Sequence, residues 1–113
     1  MKTTTKAQIL TVYVGEDDSW RTGLLWSAIV ERLQEIGIAG VTVLHGEEGY
    51  GAHQKLHTVR FENLIQSLPV VIEAVDTPER IAQALSILDE MMTEGLVTVR
   101  DLEAIRYSRQ EGG

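Results

Sequence analysis

Four β-branched, strand-like runs and two apolar stripes at helical spacing follow one another as strand, helix, strand, strand, helix, strand, which predicts an α+β fold. Two further observations narrow the choice. The tripeptide VTV recurs at 41–43 and 97–99, each time after a helix and a glycine, and the chain has the 113 residues of one domain, 1–113. A ferredoxin-like βαββαβ sandwich satisfies all three, with an antiparallel four-stranded sheet and both helices on one face.

The first strand is AQILTVYV, Ala7 to Val14, stopped by Gly15. It carries apolar residues on both faces, Ile9 and Tyr13 on one and Leu10, Val12 and Val14 on the other. From Thr22 as N-cap, Leu25, Ile29, Leu33 and Ile36 fall on one helical stripe, and Gly37 supplies the stop. GVTVL, Gly40 to Leu44, is the second strand. LPVVIEAV, Leu68 to Val75, is the third, opened by Pro69 where a missing donor does little harm. Thr77 and Pro78 form an N-cap followed by proline at the first helical position. Ile81, Leu85, Leu88 and Met92 make the second stripe, and Gly95 ends it. LVTV, Leu96 to Val99, is the fourth strand, and LEAIRY either extends it or forms a short fifth segment.

Two helices cover only one face of such a sheet, whereas the strands are apolar on both. The second face therefore calls for burial, and self-association into a closed ring is the economical way to provide it. Clefts between subunits would then be natural ligand sites.

Composition limits the function classes. Seventeen acidic residues against ten basic ones give a formal charge of −7, the wrong sign for a protein that neutralises nucleic-acid phosphates. A few local donors would still suffice for one small anion. No cysteine is present, so disulfides and thiolate metal sites are excluded, and a reducing, cytoplasmic setting is expected. No apolar run reaches the roughly 20 residues that span a bilayer, so direct membrane insertion is not expected. Phosphate loops, dinucleotide fingerprints and nucleophile elbows are all missing, which argues against an enzyme.

The connection Gly46 to Ser67, about twenty residues, exceeds what a hairpin needs. Gly46, Gly49 and Gly51 permit close backbone approach to a ligand, and Gln54, Lys55 and Arg60 offer donors for phosphate or carboxylate. A solvated hairpin tip accounts for the same residues. His45, His53 and His57, with Glu47 or Glu48, are the candidate metal ligands, although loop histidines without metal explain them as well. Glu16, Asp17 and Asp18 precede the first helix, where its dipole favours acids. Trp26 sits at the margin of the first stripe, suited to core or subunit contact, and Arg21 beside Trp20 is placed to line a cleft.

GYGAHQKLHT followed by LPVVIEAV, together with GLVTVRDLEAIRY, resembles the nitrogen-regulatory PII signal proteins. A closer resemblance is to a PII-like group known as domain of unknown function 190, through YVGE, GIAGVTVL, GYGA, HT, LPVVIE, DEM and GLVT, over roughly Ile9 to Tyr107. The resemblance implies a homotrimer that senses a small anionic effector in its intersubunit clefts, with ATP, ADP or AMP as the first candidates. It also implies that residues 46–67 form a T-loop that reaches a partner, by analogy a membrane transporter or channel. The effector residues it implies are Gly49, Tyr50, Gly51, Gln54, Lys55 and Arg106; the partner loop would use Glu47, Glu48, His53, His57 and Arg60.

The chain departs from PII in three places. EMMTEGL stands where PII has a glycine-rich basic turn, Val70, Val71 and Ile72 occupy the start of the third strand where PII has a lysine, and Phe61 lies near PII's modifiable tyrosine. These departures argue against nucleotide binding in the PII manner and against tyrosine modification at that site. The rival reading is a trimeric metal-binding protein or metal-dependent enzyme of similar fold, resembling the divalent-ion tolerance proteins. A purely structural trimer is the third.

Overall fold

The computed structural model describes residues 1–49 and 68–109. In chain order these form β1 (Lys2–Gly15), a small hairpin β2 (Ser19–Trp20) and β3 (Gly23–Leu24), α1 (Leu25–Glu35), β4 (Gly40–His45), β5 (Pro69–Asp76), α2 (Pro78–Met91) and β6 (Leu96–Tyr107). The main sheet has the order β4-β5-β1-β6, antiparallel throughout, so the predicted ferredoxin-like α+β sandwich is the observed fold.

Between the sheet and the helices lies the core. Leu10 and Val12 of β1, Val70 and Ile72 of β5, Ile29 and Leu33 of α1 and Ile81 of α2 are fully buried there. Burial of such side chains stabilises the fold by about 1.5–3 kcal/mol each.

Three boundaries differ from the sequence expectation. β1 starts at Lys2, not Ala7, while LEAIRY takes the first of its two expected forms and extends β6; the two strands pair from Lys2↔Tyr107 to Tyr13↔Leu96. The segment KTTTK shows no apolar alternation, but its β-branched threonines suit a strand once β6 supplies the ladder. β5 pairs with β1 only from Gln8↔Asp76 onward. Lys2–Ala7 and Leu102–Tyr107 therefore form a two-stranded arm beyond the four-stranded part of the sheet.

The second difference is that α1 begins at Leu25, and Thr22 is not its cap. Arg21, at φ 56°, and Thr22 form the turn of the β2–β3 hairpin, and Leu24 caps the helix without a side-chain hydrogen bond. The β2–β3 hairpin consequently separates Glu16, Asp17 and Asp18 from the helix start in sequence. Asp18 instead closes the end of β1: its Oδ2 accepts from the Gly15 amide at 2.8 Å, and its carbonyl accepts from the Leu25 amide at 2.8 Å. At the other end, Gly37 at φ 82° stops the helix as expected. Its amide donates to the Gln34 carbonyl and that of Ile38 to the Leu33 carbonyl, the paired bonds of a left-handed glycine cap.

α2 is capped by Thr77 Oγ1, which accepts from the Arg80 amide at 3.3 Å, with Pro78 at the first position as expected. Its buried stripe is Ile81, Ala84, Ile87, Leu88 and Met91, with Leu85 and Met92 at the margin. The helix ends at Met91, so the third difference concerns Gly95, which shapes the turn into β6 rather than the helix stop.

Cross-strand registers lay out the helix-free face in three rows. Leu44, Val71, Tyr13 and Leu96 form an apolar row; Thr42, Glu73, Thr11 and Thr98 form a polar row; Gly40, Val75, Ile9 and Arg100 form the third. The expectation of apolar residues on both faces holds for Ile9 and Tyr13, but a polar row runs between them. Tyr13, Leu44 and Leu96 are 41%, 52% and 57% exposed, enough to mark the apolar row as uncovered by the described residues of the single chain.

Gly95 adopts φ 117°, and a Cβ there would lie 2.8 Å from both the Tyr13 carbonyl oxygen and Met92 Cε. Gly95→Ala is expected to cost about 1–3 kcal/mol in urea unfolding. Gly23→Ala, where a Cβ meets nothing within 4 Å, should leave the midpoint nearly unchanged.

Candidate functional site at the loop-bearing end of the sheet

The antiparallel registers bring the ends of β1 and β4 and the starts of β5 and β6 to one end of the sheet, where the Gly46–Ser67 connection leaves and returns. Two backbone bonds hold its root: the Gly46 amide donates to the Pro69 carbonyl at 2.8 Å, and the Glu16 amide donates to the Leu68 carbonyl at 2.7 Å.

The glycines of this connection have a structural duty. A Cβ on Gly46 would lie 2.6 Å from Pro69 Cγ, and one on Gly49 would lie 3.1 Å from the same atom. At these two positions the missing side chain lets the chain pack on the proline ring. Glu47 and Glu48 are exposed beside them. Tyr50, Gly51, His53, Gln54, Lys55, His57, Arg60 and Phe61 lie outside the described residues.

Aromatic and cationic groups gather at the same end. Trp26, in the first turn of α1, meets His45 at the end of β4 edge to face, with ring centroids 5.1 Å apart. Its body packs on the core, and its indole Nε1 is buried with no acceptor among the described residues. Arg21 stacks its guanidinium 4.2 Å from the Trp20 ring centroid, so its cation is engaged with that ring. The signal for the Trp26–His45 contact was available in the sequence: His45 continues the alternation of Val41 and Val43, which puts it on the helix side.

The turn from α2 into β6 forms a groove with a floor of Leu85, Leu88, Met92 and Val97 and with Asp89 and Glu94 at its rim. It offers carboxylates where a phosphate cradle would offer cations, as EMMTEGL led one to expect. Arg106 is remote from all of this. It pairs with Thr3 on the exposed arm, whereas Gly49 packs on Pro69, the partner of Gly15. Twelve residues of extended β1 separate Thr3 from Gly15, roughly 40 Å. One chain does not bring Gly49 and Arg106 together. Among the described residues, no group of three histidine, aspartate or glutamate side chains is arranged to hold a metal ion, and no helix is long and apolar enough to cross a membrane.

Residues 7–104 match the family DUF190, described as an uncharacterized ACR, and the chain belongs to that family. It is 37% identical over 107 residues to a UPF0166 protein of Methanocaldococcus jannaschii, covering 94% of this chain and 98% of the relative. A UPF0166 protein of Aquifex aeolicus is 32% identical over 100 residues, 88% of this chain and 94% of that one. Among solved structures the fold is similar to CPII, a nitrogen regulatory PII-like protein from Thiomonas intermedia K12 bound to ADP, AMP and bicarbonate. The TM-score is 0.64 at 15% identity, over 90% of this chain and 91% of that one. It is also similar to GlnK of B. subtilis, with a TM-score of 0.52 at 12% identity over 87% and 86% of the two chains. The fold is thus that of the PII-like proteins, as the sequence resemblance implied.

Gly46→Ala is expected to push the Pro69 ring out of place and destabilise the loop root by about 1–3 kcal/mol. Hydrogen exchange at the Gly46 amide should accelerate more than exchange at Leu10 or Ile72 in the core.

Proposed function

We propose that the protein is a PII-like regulatory protein: a cytoplasmic homotrimer that binds a small anionic effector in its intersubunit clefts and presents residues 46–67 to a partner protein. The observation that carries this reading is the placement of the candidate effector residues. Gly49, with Tyr50, Gly51, Gln54 and Lys55 following it, starts from one end of the sheet, and Arg106 stands at the other, so a site that uses both needs two copies. The family fold supports it, since CPII of the same architecture was crystallised with ADP, AMP and bicarbonate.

The effector is an anion whose charge is met by Lys55 of one copy and Arg106 of the next. The acidic groove at Asp89 and Glu94 keeps phosphates away from the α2–β6 turn, so an adenine nucleotide would be held by a donor set different from that of PII. Effector binding orders the loop, and Glu47, Glu48, His53, His57 and Arg60 form the surface that a partner reads, a membrane transporter or channel by analogy with other PII-like proteins.

Isothermal titration with ATP, ADP, AMP and bicarbonate tests the proposal. One of them is expected to bind with one site per chain, and Arg106→Ala should weaken it about tenfold or more, the worth of one charge-assisted hydrogen bond. Arg106 is exposed, so the melting temperature of the ligand-free protein should not move. No heat with any of the four at millimolar concentration would contradict the proposal.

A further inference from the structure

In the polar row of the helix-free face, Glu73 carries the charge. Its direct cross-strand neighbours are Thr42 of β4 and Thr11 of β1, and Thr98 of β6 completes the row, so no element packed beside Glu73 sets a cation against it. The adjoining rows add one titratable side chain, Tyr13, and one cation, Arg100. Arg100 stands two strands and one row away, roughly 12 Å by strand geometry. Among the described residues the Glu73 carboxylate has neither a hydrogen bond nor an ion pair, and the side chain is already half-buried in a single chain. A carboxylate in that setting depends on water for its solvation.

We infer that Glu73 couples assembly to proton uptake: closing the ring of copies gathers the Glu73 carboxylates at one level beside its axis, and neutralising them tightens the ring. The inference rests on the homotrimer reading above. Two arguments lead from that reading to the carboxylate ring. The exposed side of the helices carries Glu31, Glu35, Glu79, Asp89 and Glu90 around Arg32, and those carboxylates would lose water without gaining a partner if they covered apolar rows. The surface that suits an apolar row is another apolar row, so the helix-free faces turn toward one another. Rotation about the axis of a closed ring then keeps equivalent residues at equal height. Each polar row meets the polar rows of the other copies, and Glu73 meets Glu73.

Loss of water and like charge both disfavour the ionised carboxylate, so they act in the same direction. At a pH low enough to neutralise the carboxylates of the ring, no charge opposes closure. As pH rises and they ionise, association weakens. The threonine hydroxyls of the row stay uncharged throughout, which leaves Glu73 as the group on which the proton acts.

The ligand-free protein in EDTA at constant ionic strength, sedimented across a urea series at pH 6 and pH 8, tests this coupling. The urea midpoint for loss of the assembled mass is expected to be higher at pH 6. Glu73→Gln should raise the pH 8 midpoint to at least the wild-type value at pH 6 and remove most of the difference between the two. Glu73→Thr, which extends the threonine row with a β-branched residue, should do the same. Glu31→Gln removes an equal charge from the exposed side of α1 and should leave the wild-type pH difference in place. An assembled wild type whose midpoint ignores pH overturns the inference and leaves the homotrimer standing. Substitutions at Glu73 that weaken the assembly, or a Glu31→Gln effect equal to that of Glu73→Gln, overturn it as well. A single-chain mass without urea at both pH values, for wild type and Glu73 variants alike, overturns the homotrimer reading and the coupling with it.

Discussion

The pairing of β1 with β6 over nearly the whole of both strands shapes everything else in the molecule. Because β1 is held on that side from Lys2 to Tyr13 and on the other side by β5 only from Gln8 onward, it is both the centre of the sheet and one half of the arm. Its second half puts Leu10, Val12 and Val14 under the helices. Its first half, among the described residues, has no helix over it and no third strand beside it. One strand thus sets the core, the helix-free face and the projection.

The helix-free face is not the uniformly greasy surface that apolar alternation suggested. Thr42, Glu73, Thr11 and Thr98 run across it between two rows that contain Leu44, Val71, Tyr13, Leu96, Val75 and Ile9. A face of that kind is poorly suited to bulk water and equally poorly suited to a slipped contact, since a shift by one row would set Glu73 against leucine and tyrosine. In the proposed trimer, burial of the apolar rows would supply the drive for association, and the polar row would fix its register. In the proposed trimer, the clefts that hold an effector exist only because that face is covered by other copies.

Much of the fold was legible from residue pattern alone. The strands around Leu10, Val43 and Ile72, the Thr77–Pro78 start of α2 and the Gly37 stop of α1 were each announced by short-range chemistry that the tertiary structure did not override. The arm was not, because KTTTK has no apolar period and becomes a strand only through a partner about a hundred residues away. Thr22 misled for a related reason: a good cap residue also suits a tight turn, and Arg21 at positive φ put it in one. The site was legible in part. The acidic α2–β6 turn could be read directly, whereas the separation of Gly49 from Arg106 depends on β1 being continuous, which no local signal revealed. Gly46 and Gly49 drew attention as ligand-approach positions, and the Pro69 ring gives them a simpler reason.

If copies of the same chain complete this sheet, the mass of the particle in solution must show it. Sedimentation equilibrium at micromolar concentration and physiological salt should return the mass of three chains of 12.6 kDa. A stable, well-behaved particle of a single chain's mass would refute the trimer, because the face bearing Tyr13, Leu44 and Leu96 would then be at ease in water and the clefts would not form.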